Sequence, residues 1–439
     1  MNFNPWTDRA EMSRVSVNWI LVALALSLVC LPTGPVQLLG SGSYFRVEQR
    51  SGAWWFVAPS GKLTLSAGVN HVSYQGDVIH GTKRHPYLEN ISKVYPNKDT
   101  WAQAETKRLH LWGFNTIGSW SDPVLWIHSM PYTMILNIAA RSGANWLKGI
   151  PVDVYSPRFE AMAKKIAEDE CAPRRTDPGL VGYFSDNELR WGPDWRGKQN
   201  MLAMYLNLPA NAPGRRRAID FLKKKYSGKI QKLNQAWDTH ASSFADLPSQ
   251  SETEAFRADN SLFLGMVALR YFEVCAQAIH SADPNHLYLG AKFAGAPPDP
   301  VLRAAHIADI VSVDIYKFDP RPIVEHIYSL TQRPVLVAEF AFRAEDSGLP
   351  NTRGAGPKVA NQAARARAYA DYVKWLESLP EAVGYHWFEW CDEPRQGRFD
   401  GENSNYGLVN IHDQPYKQFV RAVSKANSAA IQIHQALKK

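Results

Sequence analysis

Two glutamates, Glu188 and Glu339, have the surroundings that paired acid–base chemistry needs. The first closes the stretch 180–191, LVGYFSDNELRW, in which an apolar run ends abruptly in Ser185, Asp186, Asn187 and Glu188. The second closes residues 335–339, VLVAE, a β-branched run that starts after Pro334 and leads into Phe340 and Phe342. Runs of this kind, apolar on both faces and then suddenly polar, are what a buried parallel strand looks like as it reaches the rim of a sheet. In a (β/α)8 barrel, catalytic side chains gather at the carboxyl ends of the strands. Carboxyls on two strands of one barrel can meet across a small substrate, however far apart they lie in the chain.

Hydrolysis of a glycosidic bond uses such a pair. One carboxyl donates a proton to the departing oxygen and the other meets the positive charge that develops at the anomeric carbon. Carboxyls about 5 to 5.5 Å apart allow direct attack and retention; about 6.5 to 9.5 Å leaves room for a water and gives inversion. Glu188, beside a second negative group and among aromatics, is expected to have its pKa raised toward about 6 and so to serve as the acid, while Glu339 serves as the nucleophile. Once Glu339 is esterified its charge is gone, and Glu188 can act as a base toward water.

Other chemistries lack their usual handles. The chain has no HExxH, paired CxxC, P-loop, GxGxxG or GxSxG, and its histidines do not fall at ligand spacing, so no metal and no cofactor is expected. Glu389 and Glu402 do not follow β-branched runs as the central pair does. Of four cysteines, Cys30 lies near the start, and Cys171, Cys275 and Cys391 cannot all pair, so no disulfide framework is implied; Cys391 reads as a small buried residue. The net charge of +7 and pI near 9.0 would suit an acidic partner. The basic runs at 215–217 and 223–225, however, fall near one predicted helix without interleaved aromatics, a solvated face rather than a nucleic-acid surface.

The elements that must position the pair follow from the order of patterns. Residues 15–45 carry no charge, and 19–31 form a nearly unbroken apolar run after Arg9 and Arg14. This predicts an export signal or N-terminal anchor over residues 1–40, hence a periplasmic or extracellular protein, released or membrane-attached. Residues 41–439 are expected to form one domain. A hairpin over 44–57, turning at Arg50, Ser51 and Gly52, would plug the amino-terminal end of the barrel. Strands are expected at 63–70, 115–120, 132–138, 180–184, 287–293, 310–316, 335–339 and 382–387, alternating with helices at 100–111, 156–170, 254–282, 321–330, 359–379 and 414–436. Residues 190–250 form an insertion after strand four that should hang over the carboxyl face, with a helix at 221–237 packed on the barrel. The architecture is thus α/β, a (β/α)8 barrel.

With these elements in place, four stretches carry a likeness: residues 112–122 (WGFNTIGSWSD), the strand-four motif, 338–340 (AEF), and 384–390 (GYHWFEW) continuing to 397–403 (GRFDGEN). Together they resemble the retaining glycoside hydrolases of clan A, above all the exo-acting β-agarase family and, more distantly, bacterial β-galactosidases, over about residues 44–411. The resemblance implies a β-glycosidase acting with retention on β-galactosidic linkages of a galactan or its oligosaccharides, releasing short products from a chain end. It also implies that Asn187 hydrogen-bonds the sugar 2-OH, that Tyr316 holds Glu339, and that Trp387 floors the subsite where the bond breaks. Asn70, His71, Trp120, Asp122, Lys292, His386, Asp392, Arg398 and Asn403, at or just past predicted strand ends, are further candidates for substrate contact. The same machinery could serve a β-galactosidase or another exopolysaccharide. A non-catalytic carbohydrate-binding barrel is the rival from another class, although a binding protein has no need of two buried like charges, which cost free energy.

Overall fold

Every strand but the first few lies parallel to its neighbours, which forces a crossover between each pair and explains why helices separate the apolar runs. A computed structural model describes residues 43–437 apart from Ser129 and Gln250; the expected export segment lies outside the described residues. Three antiparallel strands, β1 (Arg46–Arg50), β2 (Ala53–Val57) and β3 (Leu63–Thr64), come first. Nine parallel strands follow: β4 (Ser66–Val69), β5 (Thr116–Ile117), β6 (Tyr132–Ile135), β7 (Leu180–Phe184), β8 (Leu287–Tyr288), β9 (Phe293–Ala294), β10 (Val311–Asp314), β11 (Val335–Phe340) and, after a small β12–β13 pair (Arg343–Ala344 and Lys358–Val359), β14 (Ala382–Trp387).

Their order in the sheet is β8-β7-β6-β5-β4-β14-β11-β10-β9. The two outer strands are consecutive pieces of the chain, the stretch predicted as a single fifth strand. Gly290, at φ 78°, bends the chain between them, a conformation that glycine adopts without steric penalty. Hydrogen bonds nevertheless continue on both sides. Ser185 N–H donates to Gly290 O (2.9 Å) and Glu188 N–H to Lys292 O (2.7 Å), while Asp309 N–H donates to Tyr288 O (3.0 Å) and Gly295 N–H to Asp314 O (2.9 Å). The edges therefore meet through this stretch, giving an α/β barrel.

Several expected boundaries shift for identifiable reasons. The first strand divides, β3 joining the hairpin and β4 the barrel. The helix expected over 221–237 is two helices, Pro213–Lys225 and Ile230–Trp237, separated by Ser227 and Gly228 at positive φ. That expected from 359 begins at Gln362, because Asn361 caps it by accepting from Ala364 N–H (2.9 Å) and Val359 is drawn into β13. The 190–250 segment lays Tyr205 and Phe221 against Phe263, and Trp237 against Phe256, of the helix Glu254–Ala282. Its part nearest the acidic residues is the first loop, where Arg196 donates to Glu188 O (2.9 Å).

The hairpin does close one end of the barrel. Phe45, Val47, Trp54 and Phe56 are buried against Val181, Phe184, Leu287, Ile310, Leu336 and Val383, and Trp54 N–H donates to Pro380 O (2.7 Å), just ahead of β14. A second apolar cluster lies between strands and helices; the apolar Glu254–Ala282 helix, capped by Thr253, belongs to it through Phe263, Val267 and Tyr271. Within the barrel, Gly68 on β4 stands opposite His386 on β14, and a Cβ there would fall inside van der Waals distance of the imidazole. Gly68→Ala is therefore expected to destabilise the protein by roughly 1–3 kcal/mol, seen as a lower urea midpoint at unchanged m-value.

Candidate active site

The strand-four motif is held from behind. Asp186 is fully buried; its carboxylate accepts from Ala139 N–H (2.9 Å), at the start of the short helix Ile138–Arg141, and from Tyr271 O–H (2.7 Å) on the long helix. Burial raises its pKa to about 7 in spite of those bonds. Asn187 then bridges to Lys292, and its Oδ1 is buried without a protein partner. Glu188 follows at φ 47°, a left-handed conformation that a side-chain-bearing residue adopts at some cost and that residues at functional sites often show.

Glu339 arrives at the same mouth on β11. Its Oε1 is paired to the ammonium of Lys292, from the closing stretch, and its Oε2 accepts from Tyr316 O–H (2.6 Å), just beyond β10. Lys292 is completely buried and also faces Asp314 (3.9 Å). Burial disfavours its charge, but Asp314 and Glu339 more than offset this and its pKa is raised. Asp314 is driven well above the carboxylate range, first by burial and then by Glu339. Glu188 is pushed up to about 7, by burial first and by the charge of Glu339 second, with Lys292 and Arg196 pulling the other way and Glu402 adding to the rise. The two predicted glutamates thus lie within electrostatic reach of each other, one titrating near neutrality and the other held by an ammonium and a phenol.

A second charged group borders the first. His71 Nδ1 lies 2.5 Å from Glu389 and 3.9 Å from Asp77. Burial lowers the pKa of His71, but the two carboxylates outweigh it and bring it to about 9. These three are the one group among the described residues with the donor set of a metal site, and a cation bound there would displace the proton that the two carboxylates hold on His71. Arg398 pairs with Glu393 (3.0 Å), Asp400 (2.9 Å) and Glu402 (2.9 Å), and its guanidinium lies over Phe388, 5.3 Å from the ring centre.

Of the other sequence candidates, Trp120 is at the mouth, 37% exposed with the Lys292 ammonium 5.6 Å from its ring. Asn70 and His386 lie inside the barrel: Asn70 donates to Ala338 O (2.8 Å), and His386 meets Ser66 Oγ (2.8 Å), its pKa lowered to about 3 by burial and by Lys292. Asp122, Asp392 and Asn403 tie loops together. Asp122 pairs with Lys98 (2.5 Å), Asp392 accepts from Tyr416 (2.5 Å) and Asn405 (2.8 Å), and Asn403 binds the 352–353 backbone (3.0 and 3.1 Å).

Trp387 does not floor a subsite. It is fully buried on the helix side of β14, packed on Phe340 (5.1 Å) and Phe419 (5.2 Å) and donating to Tyr406 O (2.9 Å). Neighbouring strand residues point to opposite faces, so the aromatic beside the mouth is Phe388, 6.4 Å from the Tyr316 ring. Sequence reasoning also passed over Asp314, Asp77 and Arg196. The signal for Asp314 was present, an acid ending a β-branched run (VSVD), as with Glu339.

No protein-family model matches the chain. Over 90% of its length it is 32% identical to beta-agarase A of a Vibrio species (strain JT0107), and likewise over 90% it is 27% identical to beta-agarase B of that strain. It spans 46% and 49% of those proteins, about half their length. Among solved structures, an exo-beta-agarase superposes with a TM-score of 0.79 at 25% identity, and an agarase with 0.78 at 26%; each match covers 90% of this chain and 66% of the other. The resemblance carried by the strand-end motifs is borne out: the chain is agarase-like in sequence and in fold.

Replacing Glu339 with Gln removes the neighbouring charge that raises Glu188 and leaves the two cations that lower it. The Glu188 carboxyl, followed by carbon NMR, is expected to titrate below 7 in Glu339→Gln; an unchanged midpoint would show that the two groups are not coupled.

Proposed function

We propose that the protein is an exported glycoside hydrolase that cleaves β-galactosidic linkages of an agarose-type galactan, with retention, on a (β/α)8 barrel with an insertion after the fourth strand. One observation carries the reading: a buried glutamate whose pKa is raised to about 7 shares the barrel mouth with a second that is fixed by Lys292 and Tyr316. A barrel that only binds sugar has no use for an acid poised in that range. The agarase likeness, in a chain spanning about half of those relatives, supports the galactan as substrate. The uncharged run near the start supports export.

In the first step the Glu188 proton passes to the glycosidic oxygen as the bond to the anomeric carbon breaks. Glu339 attacks that carbon and becomes an ester. Its negative charge disappears, Glu188 loses the repulsion that raised it, and its carboxylate takes a proton from water. The resulting hydroxide adds to the anomeric carbon, and Glu339 leaves as a carboxylate. Two displacements at one carbon restore the original configuration. Asn187, with an unpaired Oδ1, accepts from the sugar 2-OH, a contact that strengthens as charge builds on the ring. Trp120 offers an apolar face to the sugar beside Lys292.

Glu339→Gln is expected to abolish turnover of every glycoside, and full activity in that variant would remove the residue from the mechanism. Glu188→Ala should spare substrates with good leaving groups, such as nitrophenyl β-galactosides, far more than natural oligosaccharides, because only a poor leaving group needs the proton; equal losses would count against the acid role. Since the acid must carry its proton, kcat for oligosaccharides should fall as pH rises through about 7, and that descending limb should flatten for nitrophenyl substrates.

A further inference from the structure

The loop after β7 presents an aromatic side chain that the reaction above leaves unassigned. Trp195 is 65% exposed, which is unusual for a residue with so large an apolar surface. The Arg196 guanidinium lies over one side of its ring, 4.1 Å from the centre, and Trp146 meets it at 67° with centroids 6.1 Å apart. Arg196 is itself immobilised. Its side chain is 3% exposed, donates to Asp194 (2.6 and 2.8 Å), Trp146 O (3.2 Å) and Glu188 O (2.9 Å), and stands close enough to Glu188 to lower its pKa. Trp195 therefore has one face backed by a fixed cation and the other turned to solvent, on the Glu188 side of the mouth.

A narrow cavity opens beside Glu188 at the foot of this loop, lined by Trp146, Trp191, Ile150 and Arg196. The indole N–H groups of both tryptophans are buried and have no protein acceptor, and Trp191 is itself 7% exposed. A buried donor left unpaired costs about 1–3 kcal/mol, so whatever enters with an acceptor oxygen is favoured. Exposed aromatic face, apolar wall and unpaired donors together match a sugar ring, which has an apolar C–H face and hydroxyls at its edge.

We propose that Trp195, backed by Arg196, stacks on the sugar of the departing part of the chain, and that the Trp146–Trp191 cavity accepts that sugar's hydroxyls. The assignment rests on the hydrolase reading: Glu188 protonates the leaving oxygen, so groups beside it and away from Glu339 meet the leaving sugar. It makes the enzyme selective for substrates with at least one sugar on that side.

The test compares a galactan hexasaccharide with β-galactosyl fluoride, whose leaving group is a single atom and reaches no leaving-sugar subsite. Trp195→Ala should lower the hexasaccharide-to-fluoride ratio of kcat/KM by about tenfold, mostly through KM, and Trp195→Phe, which keeps a flat face, should restore most of it. An unchanged ratio would overturn the proposal. So would a fall in the ratio carried by kcat with KM unchanged, which would mean that Trp195 acts by holding Arg196 and Glu188, whose proton the departing fluoride does not need. If the parent enzyme turns over neither compound, the hydrolase reading itself falls and this assignment with it.

Discussion

The buried ammonium of Lys292 is the interaction on which the site depends. A charge removed from water is tolerated only where opposite charge and hydrogen bonds replace the solvent. Here Glu339 and Asp314 supply them, and Glu188 stands near enough to add to the effect. Burial drives Asp314 strongly toward the protonated form and raises Glu188 to about 7, and the charge of Glu339 adds to both, while Lys292 and Arg196 pull Glu188 the other way. The difference between Glu188 and the ion-paired Glu339 thus follows from burial and from which carboxylate the ammonium reaches. Lys292 also lies on the stretch where the edges of the sheet meet, its backbone bonded to Asp186 and Glu188. Barrel closure and the electrostatics of the mouth share the same few residues.

Beneath this layer the barrel interior is polar for a short distance and then apolar. Ser66, Thr116 and His386 form a hydrogen-bonded set, with His386 kept neutral by burial and the nearby ammonium. Below them Val181, Phe184, Leu336 and Val383 meet the aromatic residues of the amino-terminal hairpin. The hairpin excludes water from the far end, which keeps the surroundings of Lys292 dry and its electrostatic effects strong. Above the rim, the loops after β7 and β14 carry the aromatic and charged side chains of the mouth, Trp195 and Arg196 on one and Phe388 and Arg398 on the other.

Much of this arrangement was legible along the chain. Glu188, Glu339 and the strands ending at them announce themselves because buried parallel strands are apolar throughout and any acid at their end is conspicuous. Tyr316 and Lys292 sat at expected strand ends and do reach Glu339. Trp387 was misjudged because a strand position says nothing about its face until register is known, and one step of alternation puts Phe388 rather than Trp387 at the mouth. The fifth strand broke at Gly290, and the loop-tying roles of Asp122, Asp392 and Asn403 could not be told from substrate contacts, since both use polar residues just past strand ends.

The sequence by itself determined the alternation of strands and helices, the paired carboxyls and the family likeness, because these depend on periodicity and on residue type at fixed local offsets. Only the tertiary structure decided which side chains share a space: that a lysine from one strand meets an acid from another, that His71 becomes an imidazolium between Asp77 and Glu389, and that Trp195 is left uncovered beside Glu188. Protonation and exposure are properties of distance and solvent. Those are fixed by how distant parts of the chain pack, and no local pattern encodes them.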